Sequence, residues 1–245
     1  MSQISYISGL RAIAALTVLV AHCMIWSGWP GIGAPDYVPY PGTVAKMAVD
    51  LFMILSGFLM ALQAHRRSAE EPMFAARSWI IFFVRRFFRI APTYYLAVII
   101  SLVLAAQISE GAGALAHRIP WLDKLINGNV EVTSTNAIAA VIPWYLDHYN
   151  VNVLMHFTFL FGLFPTWVSA LPLPDWSLSL EMQFYLVFPA FILFSGRFGV
   201  IRIILFLLPL CVFSTVMWHD NFPEPSLLLF KLPVFFQGYY YSMER

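Results

Sequence analysis

The sequence has little charge and little cysteine. Only 11% of its 245 residues are charged, whereas 60% are hydrophobic, and the mean hydropathy is +0.74. Soluble domains carry about 25% charged residues, so this chain cannot cover its own surface with polar groups. A cytosolic enzyme, a nucleic-acid-binding protein and a disordered chain are therefore excluded. The two cysteines, Cys23 and Cys211, lie in apolar runs and predict buried free thiols rather than disulfides or a metal site.

Soluble domains, internal repeats and low-complexity linkers are also missing from the sequence. The first apolar run is too long for a signal peptide and no small-residue cleavage site follows it, so no cleavage is expected. We expect one membrane-embedded domain over residues 1–245, folded as an all-α polytopic bundle of six to seven segments. A spanning helix needs roughly 17 to 25 mostly apolar residues. The candidates are Ile7–Trp26, Val44–Leu62, Pro92–Ile108, Leu154–Leu171, Leu178–Phe194, Val200–Trp218 and Leu227–Tyr241, the last being short and interrupted by Lys231 and Pro233.

The distribution of arginine and lysine predicts the orientation of these segments. The connection Gln63–Ala91 contains six arginines, whereas the loop 107–153 has only Arg118 and Lys124 against four acidic residues. Because cytoplasmic loops carry the excess of basic residues, we expect the first to be cytoplasmic, the second external and the N-terminus inside. The short connection between Arg197 and Arg202 also reads as cytoplasmic, so one segment between the external loop and Arg197 must fail to cross.

Leu154–Leu171 is the segment that we expect not to cross. It contains Gly162 and Pro165 and runs into Pro172, Pro174 and Asp175, all of which disfavour a continuous helix. A re-entrant or surface-lying segment on the outer side is predicted. Its backbone must then be buried in protein or line a wet cavity.

Ionisable residues inside the predicted spans are candidates for function, because each costs roughly 2.5–3.5 kcal/mol on insertion scales. They are Arg11, His22, Asp50 and Glu181. Arg11 and His22 are separated by three turns, about 16 Å along the helix, and point to the same face. Three of these residues also have a purely structural explanation. Arg11 can extend its charged group to the membrane interface, His22 can be a hydrogen-bonded packing residue, and Asp50 can be favoured by the dipole at the start of a helix. The nearby Ser56-Gly57 pair also allows close helix approach.

Polar residues recur at helical spacing around Glu181. Ser177, Glu181 and Tyr185 form a stripe that faces a cavity or another helix, and either Asp175 or Ser177 can cap the helix start. An interhelical hydrogen-bond network is the structural alternative.

A basic run, RRFFRIAPTYY, contains Arg85, Arg86 and Arg89, with Pro92 opening the next span. It reads either as an anchor for anionic lipid headgroups or as a site for a phosphorylated ligand, since guanidinium groups match phosphate oxygens.

Four ordered blocks of sequence resemble those of the acyltransferase family 3 membrane proteins. SGLRAIAALTVLVAH matches the family's signature of an arginine and a histidine with ten residues between them. VDLFMILSGFLM, RRFFRIAPTYYL and WSLSLEMQFYLVFP resemble three further blocks, and FKLPVFFQGYYY is loosely similar to a later one, with Lys231 where arginine is more usual. Because family members typically have more spans, the chain resembles a copy truncated at its C-terminus.

The resemblance implies transfer of an acyl group, often acetyl, from cytoplasmic acyl-CoA to a hydroxyl of a cell-surface or exported carbohydrate, in a bacterial inner membrane. His22 would be the general base, with Asp50 or Glu181 supporting it. The CoA phosphates would be bound by the guanidinium groups of four arginines: Arg11, Arg85, Arg86 and Arg89. The acceptor would contact Trp176, Ser177 and Tyr185. Acyl-CoA would be a substrate; no permanently bound cofactor, metal or nucleic acid is expected.

Two other functions are compatible with the same residues. Intramembrane arginine, histidine and carboxylates also mark substrate pathways in transporters and flippases, although the inverted repeats typical of transporters are not evident. An inactive membrane-inserted fragment is the third alternative. Direct transfer and transient acylation of the protein both remain open, as does the oligomeric state.

Overall fold

A computed structural model describes residues 2–26, 41–72, 75–104, 107, 149–168, 170–171, 173–222 and 224–243. Within these ranges the regular structure is entirely helical, which confirms the all-α prediction. The helices are α1 (Ser2–Trp26), α2 (Pro41–Arg66), α3 (Ala76–Val103), α4 (Tyr149–Phe157), α5 (Trp176–Phe198), α6 (Val200–Trp218) and α7 (Leu228–Met243), with short 3₁₀ turns at Phe161–Leu163 and His219–Asn221.

Five helices of the described ranges are long and apolar enough to cross a membrane: α1, α2, α3, α5 and α6. The chain is therefore an integral membrane protein, with five such helices where six to seven were expected. The last candidate becomes α7, which has 16 residues. At 1.5 Å per residue this helix is shorter than a hydrocarbon core of about 30 Å. Nearly all of the predicted external loop 107–153 lies outside the described residues.

The segment Leu154–Leu171 is not a single crossing helix, as predicted. The nine-residue α4 ends at Phe157, and turns with the short 3₁₀ turn at Phe161–Leu163 follow it up to residue 168. Phe159 adopts a positive φ of 58° at the first turn, a conformation that costs energy for a bulky residue. Whether the segment is re-entrant or lies on the outer surface stays a prediction.

The prediction that Pro92 opens a span is wrong. α3 begins at Ala76 and continues through Pro92 to Val103, so the basic run and the apolar segment form one helix. Proline removes one backbone hydrogen bond but does not have to end a helix whose remaining turns are stabilised by packing. Pro92 itself is exposed, while the neighbouring Ala91 and Tyr94 are buried.

The chain divides into two compact units. The first comprises Met1–Arg67 with Pro233–Arg245, and the second Ser68–Leu232. In the first unit α1 packs along α2, with small residues such as Ala14, Ala21 and Ala48 buried. Small side chains let membrane helices approach closely. The prediction of a single domain stays a prediction.

Close helix approach at Gly57, anticipated from the Ser56-Gly57 pair, is confirmed within the first unit. A Cβ atom on Gly57 would lie 2.5 Å from the Phe235 carbonyl oxygen of α7. On the other helix, a Cβ on Gly238 would lie 1.9 Å from the Ile54 carbonyl oxygen. Only glycine fits at either position without moving the helices apart.

The second unit is built around α5, whose buried residues include Leu180, Phe184 and Phe188. Phe82 of α3 stacks on Phe188 with ring centroids 5.4 Å apart. α5 ends at Gly199, which adopts a φ of +86°, a left-handed conformation that glycine adopts without strain. α6 follows at once and exposes most of its residues.

The prediction of two buried thiols holds for one cysteine only. Cys211 is buried on α6, whereas Cys23 is exposed on α1. α1 presents a narrow inward stripe of mainly small residues, so most of its other positions face outward.

Candidate active site

Arg11 and His22 lie on the inward stripe of α1. Both side chains are half-buried, and the stripe between them includes the buried Ala14 and Ala21. Their common face, expected from the 11-residue separation, is therefore the one that packs toward the protein rather than the one that is exposed.

The His22 ring has a defined tautomer. Its Nδ1 lies 2.8 Å from the carbonyl oxygen of Val18, one turn earlier in α1. A carbonyl can only accept, so Nδ1 carries the proton and the lone pair of the neutral ring is on Nε2. A backbone group thus orients the ring at the nitrogen that a carboxylate would bind in a triad.

Arg11 and Asp50 are also in the first unit. The Arg11 guanidinium carbon lies 4.5 Å from the centroid of the Phe52 ring on α2, a cation–π contact. Asp50 is half-buried in the interior of α2, more than two turns after Pro41. Its position removes the helix-start explanation, since the first turn of α2 contains no acidic residue.

An apolar cleft of about 420 Å³ opens within the first unit near the beginning of α1. Its walls come from α1, α2 and α7, and Ile7 of the lining is one turn before Arg11. The lining residues are Tyr6, Ile7, Ile54, Leu55, Phe58, Gly238 and Tyr241.

In the second unit the predicted stripe on α5 is a hydrogen-bonded pair. The Tyr185 hydroxyl donates to Oε1 of Glu181, and both side chains are buried. The guanidinium carbon of Arg86, on α3, lies 5.7 Å from the Tyr185 ring centroid and 5.6 Å from that of Phe82. A buried cation, a carboxylate and a phenol therefore belong to one packed region between α3 and α5.

The three arginines of the basic run differ in their exposure to solvent. Arg85 and Arg89 are exposed, whereas Arg86 is buried. Arg85 forms a bidentate pair with Glu71, with Nη1 2.8 Å from Oε2 and Nη2 2.5 Å from Oε1. Burial therefore separates Arg86 from the two exposed arginines, which are one helical turn apart.

The beginning of α5 differs from the sequence-based interpretation. Asp175 occupies the cap position but makes no side-chain capping bond; its Oδ2 instead accepts a hydrogen bond of 2.9 Å from Tyr94. Trp176, a predicted acceptor-binding residue, is buried, and Ser177 is half-buried.

A buried polar cluster around Asp175 was not predicted. His156 Nε2 lies 3.8 Å from Asp175 Oδ2, and the His156 ring is completely buried against Phe161, with parallel rings 4.4 Å apart. The Asn152 side-chain amide, one turn before His156, donates a hydrogen bond of 3.3 Å to the carbonyl of Ala170. Burial lowers the pKa of His156 to about 4 and raises the pKa of Asp175 to about 7. The i, i+4 pair of polar residues on an apolar helix was the available sequence signal.

A second hydrogen-bond network joins α5 to its neighbours through Gln183. The Gln183 amide accepts from the Leu228 backbone N–H at 2.9 Å and donates to the Ser226 carbonyl at 2.9 Å. The Ser179 hydroxyl, one turn earlier, donates a hydrogen bond of 2.6 Å to the Phe159 carbonyl and accepts one of 3.2 Å from the Gly162 N–H. One face of α5 thus fixes both the 158–162 turns and the start of α7.

Comparison with known proteins settles the family. A family model described as an acyltransferase domain matches residues 4–245, which is nearly the whole sequence. The chain belongs to acyltransferase family 3. The resemblance of its four blocks is thereby confirmed. No solved structure matches this acyltransferase-family chain.

Three curated relatives align with this family 3 chain. It is 28% identical over 192 residues to the peptidoglycan O-acetyltransferase OatA of Listeria monocytogenes, covering 76% of this chain and 24% of the relative. It is 25% identical over 183 residues to the acyltransferase MdmB of Streptomyces mycarofaciens, covering 75% and 38%. It is 29% identical over 156 residues to the regulator of hypoxia-inducible factor 1 of Caenorhabditis elegans, covering 63% and 24%. The chain thus spans 24% to 38% of the length of these relatives.

Proposed function

We propose that this protein is a membrane-bound O-acyltransferase that moves an acyl group, most simply acetyl, from cytoplasmic acyl-CoA to a hydroxyl of a cell-surface or exported carbohydrate. Family membership and the similarity to a peptidoglycan O-acetyltransferase support the reaction class. The observation that carries the proposal is the His22 ring. It is half-buried, and the Val18 carbonyl holds it in the tautomer with a basic Nε2.

His22 acts as general base in this proposal. Nε2 takes the proton of the acceptor hydroxyl while the hydroxyl oxygen attacks the thioester carbonyl carbon. The carbon–sulfur bond then breaks, and the imidazolium returns the proton to the departing CoA thiolate. The ester and free CoA are formed with no net change in protons. Since Nδ1 is bound to Val18, a carboxylate partner would stabilise the charged ring rather than orient it, and Asp50 is the candidate within the same unit.

The arginines would bind the phosphates of the donor. Guanidinium groups match phosphate oxygens bidentately, and Arg11 lies on the same stripe of α1 as His22, about 16 Å away along the helix. A pantetheine arm lying along this stripe would bring the thioester toward His22. Arg85 would first have to exchange Glu71 for a phosphate, and Arg86 would have to leave its buried position beside Phe82 and Tyr185. Arg89 is exposed.

The acceptor would bind on α5. Trp176 would supply an aromatic face, and Ser177 and Tyr185 would supply hydroxyl groups along the stripe that contains Glu181. Trp176 and Tyr185 are buried, so the acceptor would have to displace the packing over them. Carbohydrate recognition by an aromatic ring beside hydrogen-bonding side chains is consistent with this set. The orientation expected from the basic residues places the beginning of α5 on the outer side, where an exported glycan would be met.

Radiolabelled acetyl-CoA tests the proposal directly. Membranes containing the full chain are incubated with acetyl-CoA labelled in the acetyl group, and label is measured in glycan and in released acetate. We expect His22→Ala to lower glycan labelling by at least a hundredfold while acetyl-CoA binding, followed by calorimetry, is unchanged. His219→Ala, which alters an exposed histidine, is the matched control.

The outcomes separate the base from the fold and from transport. Full labelling in the His22→Ala protein would refute the role of His22. Absence of labelling in the unaltered protein, with movement of unmodified glycan across the membrane, would instead identify a flippase.

A further inference from the structure

The buried cluster between α4 and the beginning of α5 contains more hydrogen-bond acceptors than donors. In the described part of the chain, His156 Nε2, Asp175 Oδ1 and Asn152 Oδ1 are all buried without a hydrogen-bond partner. A buried polar atom left without a partner costs about 1–3 kcal/mol, and native proteins almost always satisfy such atoms with protein groups or ordered water. Three in one small cluster therefore require an explanation.

The tautomer of His156 is fixed in the same way as that of His22. Nδ1 lies 2.9 Å from the Asn152 carbonyl oxygen, which can only accept, so Nδ1 carries the proton. Nε2 of the neutral ring is then an acceptor. It faces Asp175 Oδ2 at 3.8 Å, a distance too long for a direct hydrogen bond even when the carboxyl group is protonated.

The surrounding contacts leave neither side chain free to turn away. Phe161 stacks on the His156 ring with an interplanar angle of 5°, and the Tyr94 ring lies 6.3 Å from Phe161 on a nearly parallel plane. The Tyr94 hydroxyl donates to Asp175 Oδ2, which leaves Oδ1 as the open carboxylate oxygen. His156 Nε2 and Asp175 Oδ2 are thus held 3.8 Å apart, and no hydrogen-bond donor of the described residues reaches Nε2.

We propose that His156 and Asp175 form a binding site for a hydroxyl group, whose O–H donates to His156 Nε2 or to the Asp175 carboxylate. Two acceptor atoms this close match a single small donor, because a water molecule or hydroxyl oxygen can reach both. The ligand is therefore either a captured water or a hydroxyl of a carbohydrate, and the chemistry at the two acceptors is the same.

The place of the cluster in the fold favours a role beside the acceptor. Asp175 directly precedes Trp176 and Ser177, the residues proposed to bind the acceptor. His156 belongs to the short α4, which leads into the non-crossing segment. A role beside the acceptor rests on the proposed function, whereas the presence of a hydroxyl group at His156 and Asp175 does not.

Solid-state NMR of the full chain in lipid bilayers, with ¹⁵N-labelled histidine, tests the site without reference to acyl transfer. The His156 signals are assigned by their loss in His156→Phe, or in His156→Gln if the first variant does not fold. We expect Nδ1 protonated, Nε2 unprotonated, and an exchangeable hydroxyl proton in dipolar contact with Nε2. His219, exposed at the end of α6, provides the control ring, whose Nε2 should show only averaged solvent contact.

Addition of methyl β-D-glucopyranoside distinguishes the two sources of the hydroxyl. A proton contact present without the sugar and unaffected by it identifies water. A contact that appears or shifts with the sugar, and saturates, identifies a carbohydrate hydroxyl. Asp175→Ala should then raise the sugar concentration needed for half-saturation about tenfold, the equivalent of one hydrogen bond. A protonated Nε2 at neutral pH, or an Nε2 with no donor nearby in either condition, overturns the proposal. Since the ring is observed directly, this result is independent of whether acetyl transfer is found.

Discussion

Replacing Gly238 by alanine should destabilise the first unit through one added methyl group. The new Cβ would lie 1.9 Å from the Ile54 carbonyl oxygen and 2.8 Å from Phe58 N. Both atoms are backbone, so no side chain can rotate away. The first distance is more than 1 Å shorter than the 3.0 Å below which Cβ contacts are essentially never found. α7 would have to move away from α2 along its contact.

The expected magnitude follows from the cost of overpacking. Inserting a methyl group into a well-packed region costs typically 1–3 kcal/mol and sometimes more, against about 1 kcal/mol gained by placing alanine instead of glycine in a helix. Because the clash is with backbone, we expect a net loss of about 2 kcal/mol or more. For a chain of this size, 1 kcal/mol shifts the melting temperature by about 2–4 °C.

Two other helical glycines supply matched controls. A Cβ on Gly9 in α1 or on Gly196 in α5 would meet no atom within 4 Å. Gly9→Ala and Gly196→Ala should therefore be neutral or slightly stabilising. Thermal unfolding in detergent, followed by the fraction of monodisperse protein after heating, compares the three variants. A Gly238→Ala protein as stable as the controls would show that α2 and α7 do not approach as described.

Two further predictions concern the second unit. Gly162→Ala should destabilise by about 2 kcal/mol, because its Cβ would lie 2.4 Å from Ser179 Oγ, and Ser179→Gly in the same chain should restore part of the loss in thermal unfolding. The buried pair should give opposite pH dependences once the two residues are separated. His156→Phe leaves Asp175, whose raised pKa of about 7 makes the stability fall as pH rises from about 4 to 7. A shift of about three pKa units corresponds to on the order of 4 kcal/mol. Asp175→Asn leaves His156, whose pKa lowered to about 4 makes stability rise from pH 4 to about 6.5. Melting temperatures across this range check the signs, and equal slopes in both variants would contradict the assignment.

The sequence predicted the helices well where composition alone decides them. α6 covers Val200–Trp218 as expected, since a predominantly apolar run begins after a glycine that can adopt a left-handed conformation. The failure of Leu154–Leu171 to form one helix was also predictable, because glycine and prolines interrupt it. Pro92 misled the interpretation of α3, because tertiary packing on both sides of a proline can hold a helix together that local preference would end.

The candidate site was predicted less completely. Arg11 and His22 share a face because helical geometry over three turns fixes it, and the Glu181–Tyr185 pair follows from the i, i+4 spacing. The contact between Tyr94 and Asp175 joins residues 81 positions apart, and no local pattern predicts such a pair. Asp175 was therefore interpreted as a helix cap, although a residue of α3 binds its carboxylate.

The Gln183 network has a consequence for evolution in this family. One amide holds the Ser226 carbonyl and the Leu228 N–H, and the adjacent Ser179 holds the chain at Gly162. The partners of Gln183 and Ser179 in these bonds are backbone groups, which every residue type presents. Replacements at 162, 226 or 228 therefore cannot compensate for loss of the Gln183 amide, and homologues should keep an amide at this position while the residue at 228 varies.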